Sequence, residues 1–307
     1  MTNYIIKRII YLIPVLICST FIVYAILLTL AGCPAVIVLG PDATPEAIYQ
    51  FNEMFGLNDP LLVQYFNYIS GVFRGDLGVT FRGRSVAVLI MERMPATLYL
   101  GATSLAFALL LAFPIGIIAA IKHNTWIDGL TMFLSALGLA MPNFWMGLLL
   151  LLFFALRLGW FPSFGADSWY SVVLPAITLG TSLLVSVART TRSSMLETIR
   201  QDYIRTARAK GLSNSKVIRK HALRNALIPI LTILGFLIGG IFSGAFIVET
   251  IFSWPGVGRL MMEAIAGRDI PLILGGVVLG TILFSVMNLI VDIAYGLADP
   301  RIREQYR

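Results

Sequence analysis

The 307-residue chain is 58% hydrophobic and only 13% charged, with a mean hydropathy of +0.84. Soluble domains are about a quarter charged, so a water-soluble fold is excluded and a bilayer is the expected surrounding. The net charge of +7 is segregated along the chain and has no interleaved aromatic platform, which speaks for membrane topology and against nucleic-acid binding.

A helix needs roughly 20 mostly apolar residues to cross about 30 Å of hydrocarbon. The first candidate, Ile9–Leu30, follows Lys7 and Arg8. It runs into "LAGC", Leu30 to Cys33, which reads like the end of a lipoprotein signal. Secretory apolar cores span about 7–15 residues, and this run is longer, so it is expected to remain as a span with Cys33 an unmodified residue at its outer end. If the intervening chain is helical, Cys18 and Cys33 stand about 22 Å apart, beyond disulfide reach.

Residues 31–97 are expected outside the bilayer, punctuated by Gly40-Pro41, Asp59-Pro60, Gly75-Asp76 and Gly78. Between these breaks, "PEAIYQFNEMFG" and "LLVQYFNYISGVF" carry apolar residues at helical spacing, with Leu62, Tyr65, Phe66 and Ile69 on one face. Short helices on the outer surface are predicted; the alternative is a loop whose aromatics pack on the ends of the spans.

Five more spans follow: Leu98–Ile121, Leu130–Leu156 with Pro142 inviting a bend, Ser171–Ala188 as the shortest, Ala226–Val248, and Leu272–Ala294. Gly235, Gly239, Gly240 and Gly244 mark the fifth span as one suited to close packing. None of the six contains Lys or Arg. With the N-terminus cytoplasmic, sixteen of the 23 basic residues fall inside, and the seven outside are outnumbered by ten acidic ones. The positive-inside rule therefore places both termini in the cytoplasm of a six-span, all-α integral membrane protein.

The inner segment between spans four and five, "YIRTARAKGLSNSKVIRKHALRNALIP", is dense in Lys and Arg and holds no Asp or Glu. Upstream of Gly211, Leu196, Ile199, Tyr203 and Ala207 share a helical face, with Arg200, Arg205 and Arg208 elsewhere. Gly211 is expected to end that helix in the left-handed conformation. Ser213 or Asn214 is expected to cap a second short helix, "SKVIRKHAL", by accepting a backbone N–H. A basic amphipathic element of this kind suits either a groove on a partner or anionic lipid headgroups, and composition alone leaves both open.

Catalytic chemistry is thinly provided for. His123 and His221 lie in different inner segments outside any H-E-x-x-H pattern, and the chain has neither a phosphate loop nor a nucleophile elbow nor Cys pairs at metal spacing. No catalytic residue, metal site or cofactor is assigned to this chain. The rival transporter class, an ion-coupled secondary carrier, commonly places ionisable residues at mid-membrane. Only Asp292 falls within a predicted span; with Asn288 and Tyr295 it forms a polar stripe that marks a candidate stretch of the translocation pathway, or else a structural hydrogen-bonding face.

"DYIRTARAKGLSNSKVIRKHALRNALIP" resembles the cytoplasmic motif of binding-protein-dependent ABC importer permeases of the peptide and nickel branch. The resemblance extends in order through "FGLNDPLLVQYFNYISGVFRGDLG", "LPAITLG", "ARTTRSSMLE", "ETIFSWPGVGRL" and "NLIVDIAYGLADPRIR". It implies a type I importer permease fold in the bacterial inner membrane. Residues 1–97 would hold the first span and the long outer segment, and residues 98–307 a five-helix core with its coupling segment at about 194–225.

The implied partners are a second homologous permease, two cytoplasmic ATPase subunits that carry ATP and Mg, and an extracytoplasmic solute-binding protein, with lipid around the spans. The implied ATPase-coupling residues are Arg205, Thr206, Ala207, Gly211, Leu212, Ser213, Lys216, Val217 and Arg219; Arg82, Arg84 and Trp254 are candidates for the binding-protein dock. The chain has Arg205-Thr206-Ala207 where the wider superfamily has Glu-Ala-Ala, a replacement that the peptide branch shares, and it departs at Ala31-Gly32-Cys33-Pro34, where relatives often have Pro-Gly-Asp-Pro. The substrate class implied is peptides, with nickel or a metallophore complex as the alternative, and glutathione through "LGWFPSFGADSW".

Overall fold

The computed structural model describes the backbone of residues 2–30 and 34–298. Cys33, the 31–33 part of the Ala31–Pro34 departure, and Arg301, Arg303 and Arg307 lie outside the described residues, as do the side chains of Lys7, Arg8, Asp292 and Tyr295. Helices run in the order α1 (Thr2–Leu30), α2 (Pro34–Leu39), α3 (Pro45–Met54), α4 (Leu61–Phe73), α5 (Val86–Ile121), α6 (Trp126–Ala140) and α7 (Asn143–Leu150). They continue with α8 (Val173–Ile199), α9 (Asp202–Ala209), α10 (Asn214–Lys216), α11 (Leu223–Ile251), α12 (Val257–Ala266) and α13 (Ile270–Ala298). Among the described residues there is no strand, only an isolated bridge between Val79 and Ser85.

α1, α5, α8 with its preceding turn, and α13 are each long and apolar enough to cross a bilayer. The other two spans are bent. α6 meets α7 and its π-helical extension (Leu151–Arg157) at 102°, and the stretch Asn214–Leu227 meets the helix beyond it at 52°. The first bend falls at Pro142, as expected, and the second at Pro229; each proline lacks the N–H that would continue the ladder. Among the described residues the structure thus carries four spanning helices and two bent pairs, which make up the six predicted spans if each pair crosses once.

Two compact units form, one of residues 2–4, 98–254 and 286–298, the other of 5–30, 34–97 and 255–285. In the first, α8 is the central element, and two thirds of its most apolar stretch is buried. Its approach to α5 is close enough that a Cβ on Gly116 would lie 2.6 Å from both the Ala188 carbonyl oxygen and Thr191 Cβ. Ala112, Val187, Ala188, Ile230 and Leu234 fill the space among α5, α8 and α11. Of the glycines expected to bring the fifth span close to a neighbour, Gly244 meets Leu179 of α8, whereas Gly240 faces open space.

In the second unit both expected outer helices form. α3 starts at Thr44, whose hydroxyl accepts from the Ala47 N–H at 3.3 Å, with Pro45 preset for the first turn. α4 packs on the outer half of α1: Tyr65 Oη donates to the Ile17 carbonyl (2.7 Å) and Tyr24 Oη to Gln64 (2.7 Å). The predicted apolar face of α4 is split, with Tyr65 and Ile69 buried and Leu62 and Phe66 exposed. Phe51, Phe55 and Phe81 close the core beneath α3 with ring centroids 4.7–5.4 Å apart.

One helical stretch exceeds expectation. α5 begins twelve residues before Leu98, so its 36 residues span about 54 Å and extend past the hydrocarbon. Beyond α11, the end of "ETIFSWPGVGRL" enters α12, which buries Val257, Leu260, Met261 and Ala264 and whose Val257 N–H is capped by Thr97 Oγ1 at 2.8 Å.

Candidate functional site

The inner segment after α8 is built on a break. α8 ends at Ile199, Gln201 is extended (φ −71°, ψ 149°), and α9 restarts at Asp202. This corrects the single helical face predicted through 196–207. The break rotates the register, so Ile204 and Ala207 turn inward while Tyr203 is exposed, its hydroxyl accepting from Asn225 Nδ2 at 2.8 Å.

Gly211 does terminate α9. Its φ is +75°, its N–H reaches the Arg208 carbonyl (2.9 Å), and the Leu212 N–H reaches back to Ala207 (3.4 Å). These are the two bonds of a Schellman turn, which satisfies the last carbonyls of a helix and needs a left-handed residue at this point. Ser213 then occupies the N-cap position of α10, as expected, but without the expected side-chain hydrogen bond. "SKVIRKHAL" is not a separate helix. Through a π turn at Val217–Ala222 it continues into α11, so the short arm Asn214–Leu227 and the span share one helical path.

α9 and the arm close on an apolar knot: Ile204, Ala207, Val217, Ala222 and Ala226 pack with Met195 of α8 and Ala120 of α5. The predicted coupling residues divide accordingly. Ala207 and Val217 are buried and Leu212 half-buried, so these three hold the turn together. Arg205, Thr206, Gly211, Ser213, Lys216 and Arg219 are exposed. Arg205 has only a loose 3.8 Å pairing with an equally exposed Asp202, which screening renders weak. The rim facing outward is therefore cationic and preformed.

Beside this knot lies a cluster that sequence reasoning missed. Asp128, in the first turn of α6, is 5% exposed. It accepts from Arg192 Nε and Nη2 (2.8 Å for the latter) and from the Asn124 N–H (3.1 Å), and it lies 3.0 Å from His123 Nδ1. The bidentate fork joins the α5–α6 turn to the inner end of α8.

On the outer side Arg82 and Arg84 are exposed, Arg84 pairing with Glu92 at 3.3 Å. Arg82 faces Asp269, whose carboxyl is pushed above the ordinary range by burial, against the pull of the Leu272 and Phe81 N–H groups and Arg82 itself. Trp254 sits beneath the surface rather than on it, 3% exposed, stacked on Tyr99 with ring centroids 6.2 Å apart. Asn288 is half-buried in α13. Among the described residues no group of His, Cys, Asp and Glu is arranged to hold a metal.

Residues 112–304 match the family described as the binding-protein-dependent transport system inner membrane component, and residues 1–101 match its N-terminal counterpart. The chain is 41% identical to the glutathione transport system permease protein GsiC of Escherichia coli over 304 residues, 99% of each chain, and equally so to that of Salmonella typhimurium. In fold it resembles inward-facing structures of the MetNI methionine ABC transporter (TM-scores 0.55 and 0.58, 16% identity). The match covers 69% of this chain and 97% and 96% of those chains.

Proposed function

The chain belongs to the family of binding-protein-dependent transport system inner membrane components, and on that premise we propose that it passes small peptides inward under the drive of ATPase subunits bound at residues 202–222. It is a multi-pass inner-membrane permease subunit of an ABC importer. The substrate class and the point of ATPase contact are the inferred part. Near-full-length similarity to permeases named for glutathione, itself a tripeptide, supports a peptide substrate and makes glutathione the first solute to test.

One observation carries the coupling assignment. An amphipathic helix that rests on lipid must present its apolar face to the acyl boundary, but here Ile204 and Val217 are fully enclosed within the protein. What remains outside is a basic rim whose backbone course is set by the turn at Gly211. Such a rim fits a complementary cleft better than it fits a headgroup layer. We infer that one ATPase subunit seats there, that a homologous permease completes the pathway, with Asn288 and Asp292 as candidates to line it, and that a solute-binding protein docks outside.

The test is cross-linking. A cysteine replacing exposed Arg208, in a chain with Cys18→Ser and Cys33→Ser, should form a cross-link with an ATPase subunit in native membranes. The binding protein recovered with the assembly should carry a peptide. Cross-linking to lipid alone would remove the coupling assignment, and a recovered nickel complex would remove the peptide.

On the outer side, simultaneous reversal of Arg82 and Arg84 to Glu should weaken stimulation of ATP hydrolysis by the binding protein and leave basal hydrolysis in place. Unchanged stimulation across a titration of binding protein would take both arginines out of the dock.

A further inference from the structure

We propose that Arg192 and Asp128 are positioning residues for energy coupling: their buried fork clasps the α5–α6 turn to the inner end of α8, so that a displacement of the coupling segment moves α5, α6 and α8 as one body. The proposal rests on the assignment of residues 202–222 as the ATPase contact.

The geometry is that of a register-setting contact. Asp128 receives both nitrogens of the guanidinium fork, a backbone N–H from the preceding turn, and His123 beside it. Its side chain is 6% exposed and that of Arg192 18%. A bidentate fork fixes orientation as well as distance, whereas apolar contacts are non-directional. The apolar knot by itself allows α8 to rotate or slide beneath α9; the fork does not.

Its position in the chain gives that constraint a use. Arg192 precedes Met195, the α8 residue buried in the knot, by less than one turn. Thr191, the adjoining residue, abuts Gly116 of α5, where the two backbones nearly touch. The inner end of α8 is thus gripped by α5 on one side and by the α5–α6 turn through the fork. Immediately beyond, the helix is interrupted at residues 200–201. A break of that kind absorbs motion unless the helix behind it is held against its neighbours. Stability gives no comparable reason for the pair, because a buried ion pair is commonly replaced by apolar residues of similar volume at little loss.

The test uses the complete importer, both permeases with the ATPases and binding protein, in liposomes, with Mg-ATP and vanadate as the trapping probe. Asp128→Leu/Arg192→Met removes both charges and keeps the volume filled. Two readouts separate positioning from assembly. One is the cross-link from position 208 to the ATPase, and the other is the change on trapping in the maleimide labelling rate of a cysteine replacing Met141, at the bend between α6 and α7. The double variant is expected to keep its membrane abundance and its cross-link while the trapping-induced change falls by about tenfold, within the usual range of coupling between sites. A change as large as the parent's would overturn the proposal. So would loss of the double variant from the membrane, since the cluster would then serve the fold, or a parent with no trapping-induced change at Met141. A parent without the 208 cross-link would instead overturn the coupling assignment beneath it.

Discussion

Replacing Gly211 with valine is expected to leave the permease in the membrane at normal abundance and to abolish nearly all transport. Gly211 holds φ +75°, and an added Cβ would meet nothing within 4 Å, so the effect is conformational rather than steric crowding. A β-branched residue in the left-handed region costs about 1–2 kcal/mol or more. The turn relieves that strain by opening the bonds from Gly211 and Leu212 to Arg208 and Ala207. That releases α9 from the arm and tilts the basic rim. Quantified immunoblotting, co-purification of the ATPase and uptake together check this. If the rim were a lipid anchor, the same change would matter little, and neutralising Lys216, Arg219 and Lys220 would instead reduce activity in proportion to anionic lipid. Full transport by Gly211→Val would end the coupling assignment.

Gly116→Leu should act in the opposite way, by removing the protein. Its Cβ alone would sit 2.6 Å from the Ala188 carbonyl oxygen and from Thr191 Cβ, and neither backbone oxygen nor branched carbon swings aside as a long side chain does. Overpacking of a tight interface costs about 1–3 kcal/mol, occasionally more. Here α5 and α8 must separate along their whole inner halves, which also strains the Arg192–Asp128 fork. The expected result is reduced membrane abundance and a lower midpoint of thermal unfolding in detergent. Gly129→Leu is the matched control, since that position is exposed with nothing within 4 Å, and it should behave as the parent. Equal stability of the two variants would contradict the close α5–α8 contact.

The spans were legible because hydropathy over some 20 residues is a local property, and so was the stop at Gly211, where a single residue type supplies the required backbone. α12 is written in the sequence as well: Val257, Leu260, Met261 and Ala264 repeat at helical spacing behind the Pro255-Gly256 pair. The break at 200–201 carries no Gly or Pro, and its extended Gln201 exchanges Tyr203 for Ile204 on the buried face. Periodicity assumes an unbroken helix and so placed the wrong residue inward. Hardest to read was the Asp128–Arg192 fork, whose partners are 64 positions apart. Neither residue is unusual in its own window, and only the packing of α8 against the α5–α6 turn brings them together. Trp254 illustrates the converse, a prominent residue in a matching motif whose burial against Tyr99 no local pattern announces.

The central claim is that this permease moves solute only when partner subunits hydrolyse ATP on its inner side. Uptake into right-side-out membrane vesicles of the solute that co-purifies with the binding protein tests it most directly, with the binding protein supplied outside and either ATP enclosed or an ion gradient imposed. Uptake is expected with enclosed ATP, to be lost on vanadate treatment, and to be absent with a proton or sodium gradient alone. Uptake driven by the gradient without ATP would contradict the account and assign the chain to the ion-coupled carriers.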